Sequence, residues 1–499
     1  VKYDANGGER TMNVSVHGSG YTSNLTSNKF IRNGYDFKGW ATAPDGDAVY
    51  EDKAEIKDIT EKGKCITLYA VWEVDPYEIG KYVANQTTVS DTNGKRTFEV
   101  YVDSVPRFCN GEVITVIYLT KEFKKGVTTD LANETYIVGD ASITYKNGYL
   151  CFPAIAEGSS RTIHLKDFNF ESDAGAGAIN NYSSEPESFG ACVGGDITIE
   201  VIGNCSINMS TAGSTAIQLA TQNITFKGSG TLTVKGGKGA DAAVAGANGT
   251  DGGVGIICKN LTVDMTHTYS SLLIKKWNCG KLLVCGGDGG NGANGISGNH
   301  GGKGADGYAY HDDGEVGGRG TDGTNGGNGG TGGSAIVAEK VIDIGSEESH
   351  ISLYAYSGKG GNGGNGGNGG NGGNGGNGYY NPHFVGNVGN GGNGGDGGNG
   401  GNGGNGGSCN KAVVCKEIKG TITQVNRVGT IGIAGTGGNP GNGGTRGCRK
   451  GYVYGNDGAN GSQGANGTDG QDGSVLEYSF LKIFSRNFEK PLDKLRNNG

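Results

Sequence analysis

"GGNGGNGGNGGNGGNGGNGYYNPHFVGNVGNGGNGGDGGNGGNGGNGGS", residues 360–408, has glycine at two of every three positions, with one short interruption that contains aromatic residues. A flexible linker has no reason to keep a period of three over so many triplets. Three residues per turn is the period of the polyproline II type of helix. The stretch therefore predicts two rigid extended arms joined by a tip, and disorder is the competing interpretation.

Four such glycine hairpins occur in the chain, at 236–253, 286–333, 358–408 and 432–474. Collagen has the same glycine period, but 8 Pro among 499 residues are too few for it. Polyglycine II bundles remain, in which extended arms bond side by side and a side chain on a packed face would clash. In an arm with the triplet GGN, the two glycine faces would then pack against neighbouring arms, and the third face would be exposed and carry Asn. We expect hairpin 358–408 to be central and hairpin 432–474 peripheral.

Between the hairpins, a second repeat consists of short alternating apolar strands. Ile217, Ile256, Ile336 and Val413 fall in one column, and Leu219, Cys258, Ala338 and Cys415 fall two residues later, on the same face. Self-similarity of this kind predicts a solenoid, and three strands per coil predict a parallel β-helix. We interpret Cys258 and Cys415 as small apolar core residues rather than disulfide partners. Because glycine loses the most entropy on ordering, the bundle needs this anchor.

Composition excludes several classes of function. The net charge is -8 and no basic patch is concentrated anywhere, so nucleic acid is not an expected partner. No apolar run is long enough for direct membrane insertion. Eleven Cys without CxxC pairs argue against zinc, and the calcium-like nonapeptides arise by chance from the glycine period. We expect no metal, no cofactor, no catalytic residue and no enzyme activity.

The first 75 residues have a different pattern, in which short alternating runs are separated by Asn-Gly and Asp-Gly turns. Tyr35, Phe37, Trp40, Tyr69 and Trp72 are its candidate aromatic core. "GYDFKGW" and "TLYAVW" resemble the Listeria–Bacteroides repeat, an internalin B-repeat type of β-grasp module. The resemblance implies a spacer in a cell-surface or secreted protein. Such a location is consistent with the N-glycosylation sequons at Asn13, Asn24, Asn85, Asn133, Asn223, Asn260, Asn460 and Asn466.

The glycine pattern itself is similar to that of snow flea antifreeze proteins and of the distal adhesins of certain phage tail fibres. This resemblance lies in the repeat alone and implies a polyglycine II bundle. The predicted fold class is all-β. The predicted organisation is a β-grasp-like module (1–75), a β-rich connector (76–150), β-helix coils (151–235), coils bearing the four hairpins (236–474) and a C-terminal cap or assembly segment (475–499).

Aromatic residues are nearly absent from the arms but are concentrated at three of the four tips. One interpretation is that they cap the bundle and fix the turns. The other is that they form a recognition surface on a rigid scaffold, as the variable tip loops of the phage adhesins do. The candidate ligand-binding residues are Tyr308, Tyr310, His311, Asp312, Tyr379, Tyr380, His383, Phe384, Tyr452 and Tyr454.

These features predict a non-catalytic extracellular or cell-surface protein that is structural and adhesive, with a rigid glycine-rich spine presenting aromatic tip loops. The expected partner is a glycan or a cell-surface receptor. One alternative is a purely architectural subunit of an extracellular filament, formed by self-association of solenoids end to end. The other alternative is an ice-binding protein, which the charged and amide side chains on the exposed positions disfavour.

Overall fold

The computed structural model describes residues 1–123, 126–131, 133–152, 157–181, 195–267, 278–308, 312–344, 352–379, 390–419, 430–448, 459, 461–468 and 471. Over these residues the chain is all-β, with parallel sheets, one short 3-10 helix and no α-helix. The all-β prediction is confirmed.

The N-terminal module is built on a three-stranded sheet. The module contains five strands: β1 Lys2–Asp4, β2 Ser23–Asn24, β3 Tyr35–Ala41, β4 Glu55–Ile56 and β5 Thr67–Val74. The three-stranded sheet consists of β1, β5 and β3. Strand β5 is central, parallel to β1 and antiparallel to β3, while β2 and β4 pair separately. Trp40 and Trp72 are buried, and the Phe37 ring lies 4.9 Å and 5.7 Å from their rings. Tyr35 packs beside this cluster, whereas Tyr69 lies outside it.

The rest of the described chain forms further strands, most of them in parallel sheets. A 3-10 helix, Ile79–Lys81, precedes them. The strands are β6 Thr87–Ser90, β7 Thr97–Val102, β8 Ile114–Tyr118, β9 Val127–Asp130, β10 Glu134–Val138, β11 Thr144–Lys146, β12 Gly148–Cys151, β13 Ser160–Lys166, β14 Asn169–Ser172, β15 Ile179–Asn180, β16 Asp196–Ile202, β17 Asn204–Met209, β18 Ile217–Lys227, β19 Thr231–Lys235, β20 Ile256–Asp264, β21 Thr266–His267, β22 Asn278–Cys279, β23 Lys281–Cys285, β24 Ile336–Ala338, β25 Val341–Asp343, β26 Ser352–Tyr356, β27 Val413–Val414 and β28 Glu417–Lys419.

Most of these strands fall into three sets, each paired in parallel. The first set contains β9, β12, β15, the start of β18, the start of β20, β24 and β27. The second contains β7, β8, β10, β13, β16, the ends of β18 and β20, β25 and β28. The third contains β11, β14, β17, β19, β23 and β26. From β9 onward the chain visits the three sets in this order and then begins another round.

The register confirms the predicted column through Ile217, and in the second column it pairs Leu219 with Cys258 and Cys258 with Ala338. Ile217 is paired with Ile256, Ile256 with Ile336, and Ile336 with Val413. Their side chains belong to one buried cluster that extends from Ile117 to Val413. Each fully buried aliphatic side chain of this kind contributes about 1.5–3 kcal/mol. The cluster therefore holds successive rounds of strands together through their inward-facing residues.

The same pairing extends further toward the N-terminus than the repeat pattern indicates. Strand β10 pairs with β13 over five residues, and β8 pairs with both β7 and β10. The predicted division at residue 150 between a connector and the first coils falls inside β12. The less regular sequence before residue 150 thus contributes strands to the same parallel sheet.

Candidate functional site: the glycine hairpins and their tips

The glycine hairpins leave the parallel sheets from equivalent places. We call them hairpin 1 (236–253), hairpin 2 (286–333), hairpin 3 (358–408) and hairpin 4 (432–474). Hairpins 1, 2 and 3 follow β19, β23 and β26 of the third set and precede β20, β24 and β27 of the first set. Parallel strands in neighbouring rounds lie about 4.8 Å apart. Successive hairpins therefore start side by side.

In the GGN triplet at residues 363–365, all three backbone N–H groups have acceptors. The amide of Gly363 donates to the carbonyl of Ile433 in hairpin 4 at 2.8 Å. The amide of Gly364 donates to the carbonyl of Gly327 in hairpin 2 at 2.7 Å. The amide of Asn365 donates to a side chain, Oδ1 of Asn294, at 2.8 Å. In the second arm, Gly400 also donates to hairpin 4 and Asn402 to hairpin 2, while Gly401 donates to Gly367 of the first arm. Hairpin 3 therefore lies between hairpins 2 and 4, as the glycine content predicted.

The third bond of each triplet belongs to ladders of side-chain amides. Asn365 accepts from the amide of Thr436 through its own Oδ1, so the ladder runs from hairpin 2 through hairpin 3 to hairpin 4. On the opposite arms, Asn325 accepts from Asn402, and Asn402 accepts from Thr468. Aspartate takes the same role at several rungs. Each ladder side chain satisfies an N–H that the glycine arms leave unpaired.

Sequence reasoning placed these Asn residues on an exposed face and missed the ladder. A signal was present, because hairpins 2 and 3 have Asn or Asp at most third positions. Hairpin 4, whose side chains support no further described arm, has residues such as Ile433, Thr436 and Thr445 there. The change in composition marks where an acceptor is needed.

The two glycines of a triplet are required because backbone atoms occupy the space beside them. A Cβ on Gly363 would lie 2.1 Å from the carbonyl oxygen of Gly404 in the opposite arm. A Cβ on Gly364 would lie 2.0 Å from the carbonyl oxygen of Ala293 in hairpin 2. Real Cβ atoms essentially never approach below 3.0 Å. Any side chain at these positions would therefore force the arms apart.

Hairpin 1 is short, so the far half of hairpin 2 has one uncovered side. There a Cβ on Gly302 would meet nothing within 4 Å, and the second position of the triplet carries Ile296 and Thr324. The amide of Ile296 donates to Oγ1 of Thr324 at 2.7 Å. A Thr hydroxyl thus replaces the carbonyl that a longer hairpin 1 would have supplied.

At the tips, the structure describes only part of the predicted recognition surface. Tyr308 is 93% exposed, and the preceding Gly307 donates to the carbonyl of Asn377 at 2.7 Å. The amide of Tyr379 donates to the carbonyl of Asp312 at 3.0 Å. These bonds bring Tyr308, Asp312 and Tyr379 to one end of the stack. The other candidates lie outside the described residues: Tyr310, His311, Tyr380, His383, Phe384, Tyr452 and Tyr454.

The predicted glycosylation sites occupy different environments. Asn223 and Asn260 are half-buried in the second strand set, where Nδ2 of Asn260 donates to Oδ1 of Asn223 at 2.7 Å. Asn223 in turn donates to Asp196 at 2.8 Å. Asn460 lies outside the described residues. The remaining sequons are exposed: Asn13, Asn24, Asn85, Asn133 and Asn466.

The predicted core cysteines are buried or half-buried beside the apolar core. Cys258 is 1% exposed, and burial raises the pKa of its thiol to about 12. Cys415 is half-buried and packs against the same core. Among the described residues, no three His, Cys, Asp or Glu side chains are grouped where they would hold a metal ion. The hairpins instead offer exposed amides and aromatic rings, which suit noncovalent contacts.

Comparison with known proteins gives one family match, at the N-terminus. Residues 1–71 match the family model of the Listeria-Bacteroides repeat domain, which confirms the resemblance of the first module. This repeat suggests a surface or extracellular repeat protein. No curated protein matches the chain. In the described segments, no helix is long and apolar enough to span a membrane.

One solved structure resembles part of the chain. It is the springtail antifreeze protein from Granisotoma rainieri, a bundle of nine polyproline type II helices. The match has 21% identity, covers 49% of this chain and 96% of that protein, and has a TM-score of 0.11. That TM-score is too low to support an argument, and the similarity to phage adhesins stays a prediction.

Proposed function

We propose that this chain is a non-catalytic structural and adhesive protein of the cell surface or extracellular space. In this proposal the three strand sets are the faces of a parallel β-solenoid, and the glycine hairpins form a polyglycine II bundle on one of its edges. The bundle presents its aromatic tips to a glycan or to a cell-surface receptor. The N-terminal repeat serves as a spacer.

The recurring order of the three strand sets supports the solenoid. Strand β18 contributes Ile217–Leu219 to the first set and Asn223–Lys227 to the second, with a register shift between them. The chain then continues into β19 of the third set and into hairpin 1. A strand that passes from one set to the next at a register shift is what a coil turning a corner would produce. One round of three strands then corresponds to one coil.

The observation that carries the functional proposal is the bonding of the glycine amides along both described arms of hairpin 3, to which Asn amides add further bonds at many triplets. An isolated glycine arm would lose about 1–2 kcal/mol per residue on ordering, and single bonds of about 1 kcal/mol barely offset this. Bonds on three sides, together with anchorage to the sheets, supply the missing stabilisation. An ordered stack holds the tips at a fixed distance from the sheets, and binding residues held on rigid scaffolds lose less entropy on binding.

The test is binding of the full chain to a glycan array and to intact cells. A double variant, Tyr308→Ala with Tyr379→Ala, removes two described tip aromatics. The matched control is Tyr21→Ala, because Tyr21 is also exposed (76%) but lies in the N-terminal module. The adhesive proposal expects weaker binding of the tip variant alone. Equal binding by all three proteins would reject tip recognition, and ordered filaments in electron micrographs would favour the architectural alternative.

A further inference from the structure

The segment between the N-terminal module and the parallel sheets is packed against them. Val74 and Ile79 form one apolar cluster with Phe98, Val100, Val116 and Tyr136. A Cβ on Gly80 would lie 2.2 Å from the Tyr118 ring, so the 3-10 helix lies directly against β8. The module is therefore joined to the second strand set by a tightly packed contact, which we call the junction (residues 74–82).

Beneath the junction lies a buried histidine between two carboxylates. His164 is 8% exposed although it faces away from the core of the parallel sheets, because the junction covers it. Its Nδ1 lies 2.7 Å from Oε2 of Glu200, and its Nε2 lies 3.3 Å from Oε1 of Glu134. The ring is stacked on Tyr136 at 4.0 Å. These partners come from the adjacent strands β10 and β16, in register with β13.

The junction contacts the same site directly. The hydroxyl of Tyr77 lies 3.5 Å from Nδ1 of His164, and its ring meets that of Tyr136 edge-on at 5.3 Å. Lys166 reaches from β13 to Glu78 at 3.4 Å. The charged or titratable side chains around the site also include Glu73 on β5, Asp75 in the junction, Arg96 before β7 and Lys227 on β18, which is paired in register with Glu200.

The charges around His164 favour its protonated form. Glu134 and Glu200 lie at opposite nitrogens of the ring, Arg96 lies 3.4 Å from Glu134, and Lys166 is engaged with Glu78. A neutral imidazole carries one N–H, so it can donate to only one of the two carboxylates. The other carboxylate would then lie beside an unprotonated ring nitrogen, which is unfavourable at a partly buried site. A protonated His164 presents an N–H to each carboxylate.

We propose that His164 is a pH-sensitive clamp that fixes the N-terminal module to the parallel sheets. Protonated His164 ties β10, β13 and β16 together beneath Tyr77, so the junction stays closed. Loss of the proton leaves either Glu134 or Glu200 beside an unprotonated ring nitrogen and loosens the surface on which the junction lies. The angle between the module and the glycine stack is then fixed in mildly acidic solution and less constrained in alkaline solution.

The direction of the pH dependence follows from the shifted pKa values. Burial opposes protonation of His164, but Glu134 and Glu200 outweigh it and raise its pKa. Its stabilisation is complete below the ordinary value of about 6.5 and is lost as the pH rises through the raised pKa. His164 also lowers the pKa of Glu134, whose contribution is lost as the pH falls through that lowered value. The clamp is therefore firmest between about pH 4.5 and pH 6.5.

The test is hydrogen–deuterium exchange of the full chain at about pH 5.5 and about pH 8, corrected for intrinsic rates. The reporters are the amides of Ile79 and Tyr82, which donate to Asp75 and Ile79. In the unsubstituted protein their protection should fall by about tenfold for each unit by which the pKa of His164 is raised. His164→Gln should abolish this change, and His17→Gln, a variant in the N-terminal module, should retain it.

Two results would overturn the clamp. One is equal corrected protection of the junction at both pH values in the unsubstituted protein. The other is a full pH dependence in His164→Gln. If that variant does not fold, NMR titration of the labelled histidines in the unsubstituted protein decides, and a His164 midpoint at or below about 6.5 refutes the proposal.

Discussion

Substitution of Gly373 by Ala tests the glycine stack most directly. A Cβ on Gly373 would lie 1.9 Å from the carbonyl oxygen of Gly302, a backbone atom that cannot move alone. Ordinary contact begins at 3.4 Å, so hairpins 2 and 3 must separate locally. The same substitution at Gly302 adds a Cβ that meets nothing within 4 Å. The two glycines face one another and are a matched pair.

The expected loss of local stability can be estimated from the hydrogen bonds that break when hairpins 2 and 3 separate. The amide of Gly373 donates to Gly318 at 2.7 Å, and Gly301 and Gly304 donate to hairpin 3 at 2.8 Å each. At about 1 kcal/mol per bond, the local cost of Gly373→Ala is about 3 kcal/mol. Gly302→Ala should be neutral or stabilise by about 0.4–1 kcal/mol, because alanine restricts the unfolded chain.

Hydrogen–deuterium exchange of the arm 360–378 measures this cost. Gly373→Ala should lower protection by about a hundredfold, since 1.4 kcal/mol corresponds to a factor of ten. Gly302→Ala should leave protection unchanged or slightly higher. The reasoning would be refuted if both variants behaved alike, or if the arms of the unsubstituted protein exchanged at the rate of a disordered chain.

Three further predictions concern the ladder, the uncovered side of hairpin 2 and the buried thiols. Asn368→Ala removes the acceptor of the Asn439 amide and should destabilise the arm by about 1 kcal/mol. Asn368→Asp keeps an acceptor oxygen and should be tolerated. Hydrogen–deuterium exchange protection of the arm distinguishes the two variants. Thr324→Val removes the acceptor of the Ile296 amide and leaves that amide to water, which should destabilise the arm by about 0.5–1 kcal/mol in the same exchange measurement. A loss as large as that of Gly373→Ala would contradict the idea that the Thr324 hydroxyl merely replaces a missing carbonyl. Iodoacetamide at about pH 8 should alkylate the exposed Cys448 and spare Cys258, because burial raises the pKa of the Cys258 thiol to about 12. Mass spectrometry of the native protein measures the alkylation, and a modified Cys258 would contradict its burial.

The strand pattern could be read from the sequence where residues alternate regularly. The column through Ile217 and Ile256 was predictable, because inward residues recur at a period of two. The strands before residue 150 were not recognised as part of the same sheet, because their repeat is irregular and only their pairing shows it. The junction was also not predictable, since His164, Glu134 and Glu200 come from three strands.

The glycine period by itself predicted extended arms, and in hairpin 3 it marked the positions at which a Cβ would meet backbone atoms. It also determined which hairpin is central, because the number of bare positions follows the number of packed neighbours. The tertiary structure alone decided what the third position does. The Oδ1 of an Asn side chain accepts a hydrogen bond only when the next hairpin places a backbone N–H opposite it. The two residues of such a bond are about seventy positions apart in the sequence. Local sequence specifies the conformation of an arm, but the satisfaction of its last hydrogen bond depends on a neighbour that only the folded chain supplies.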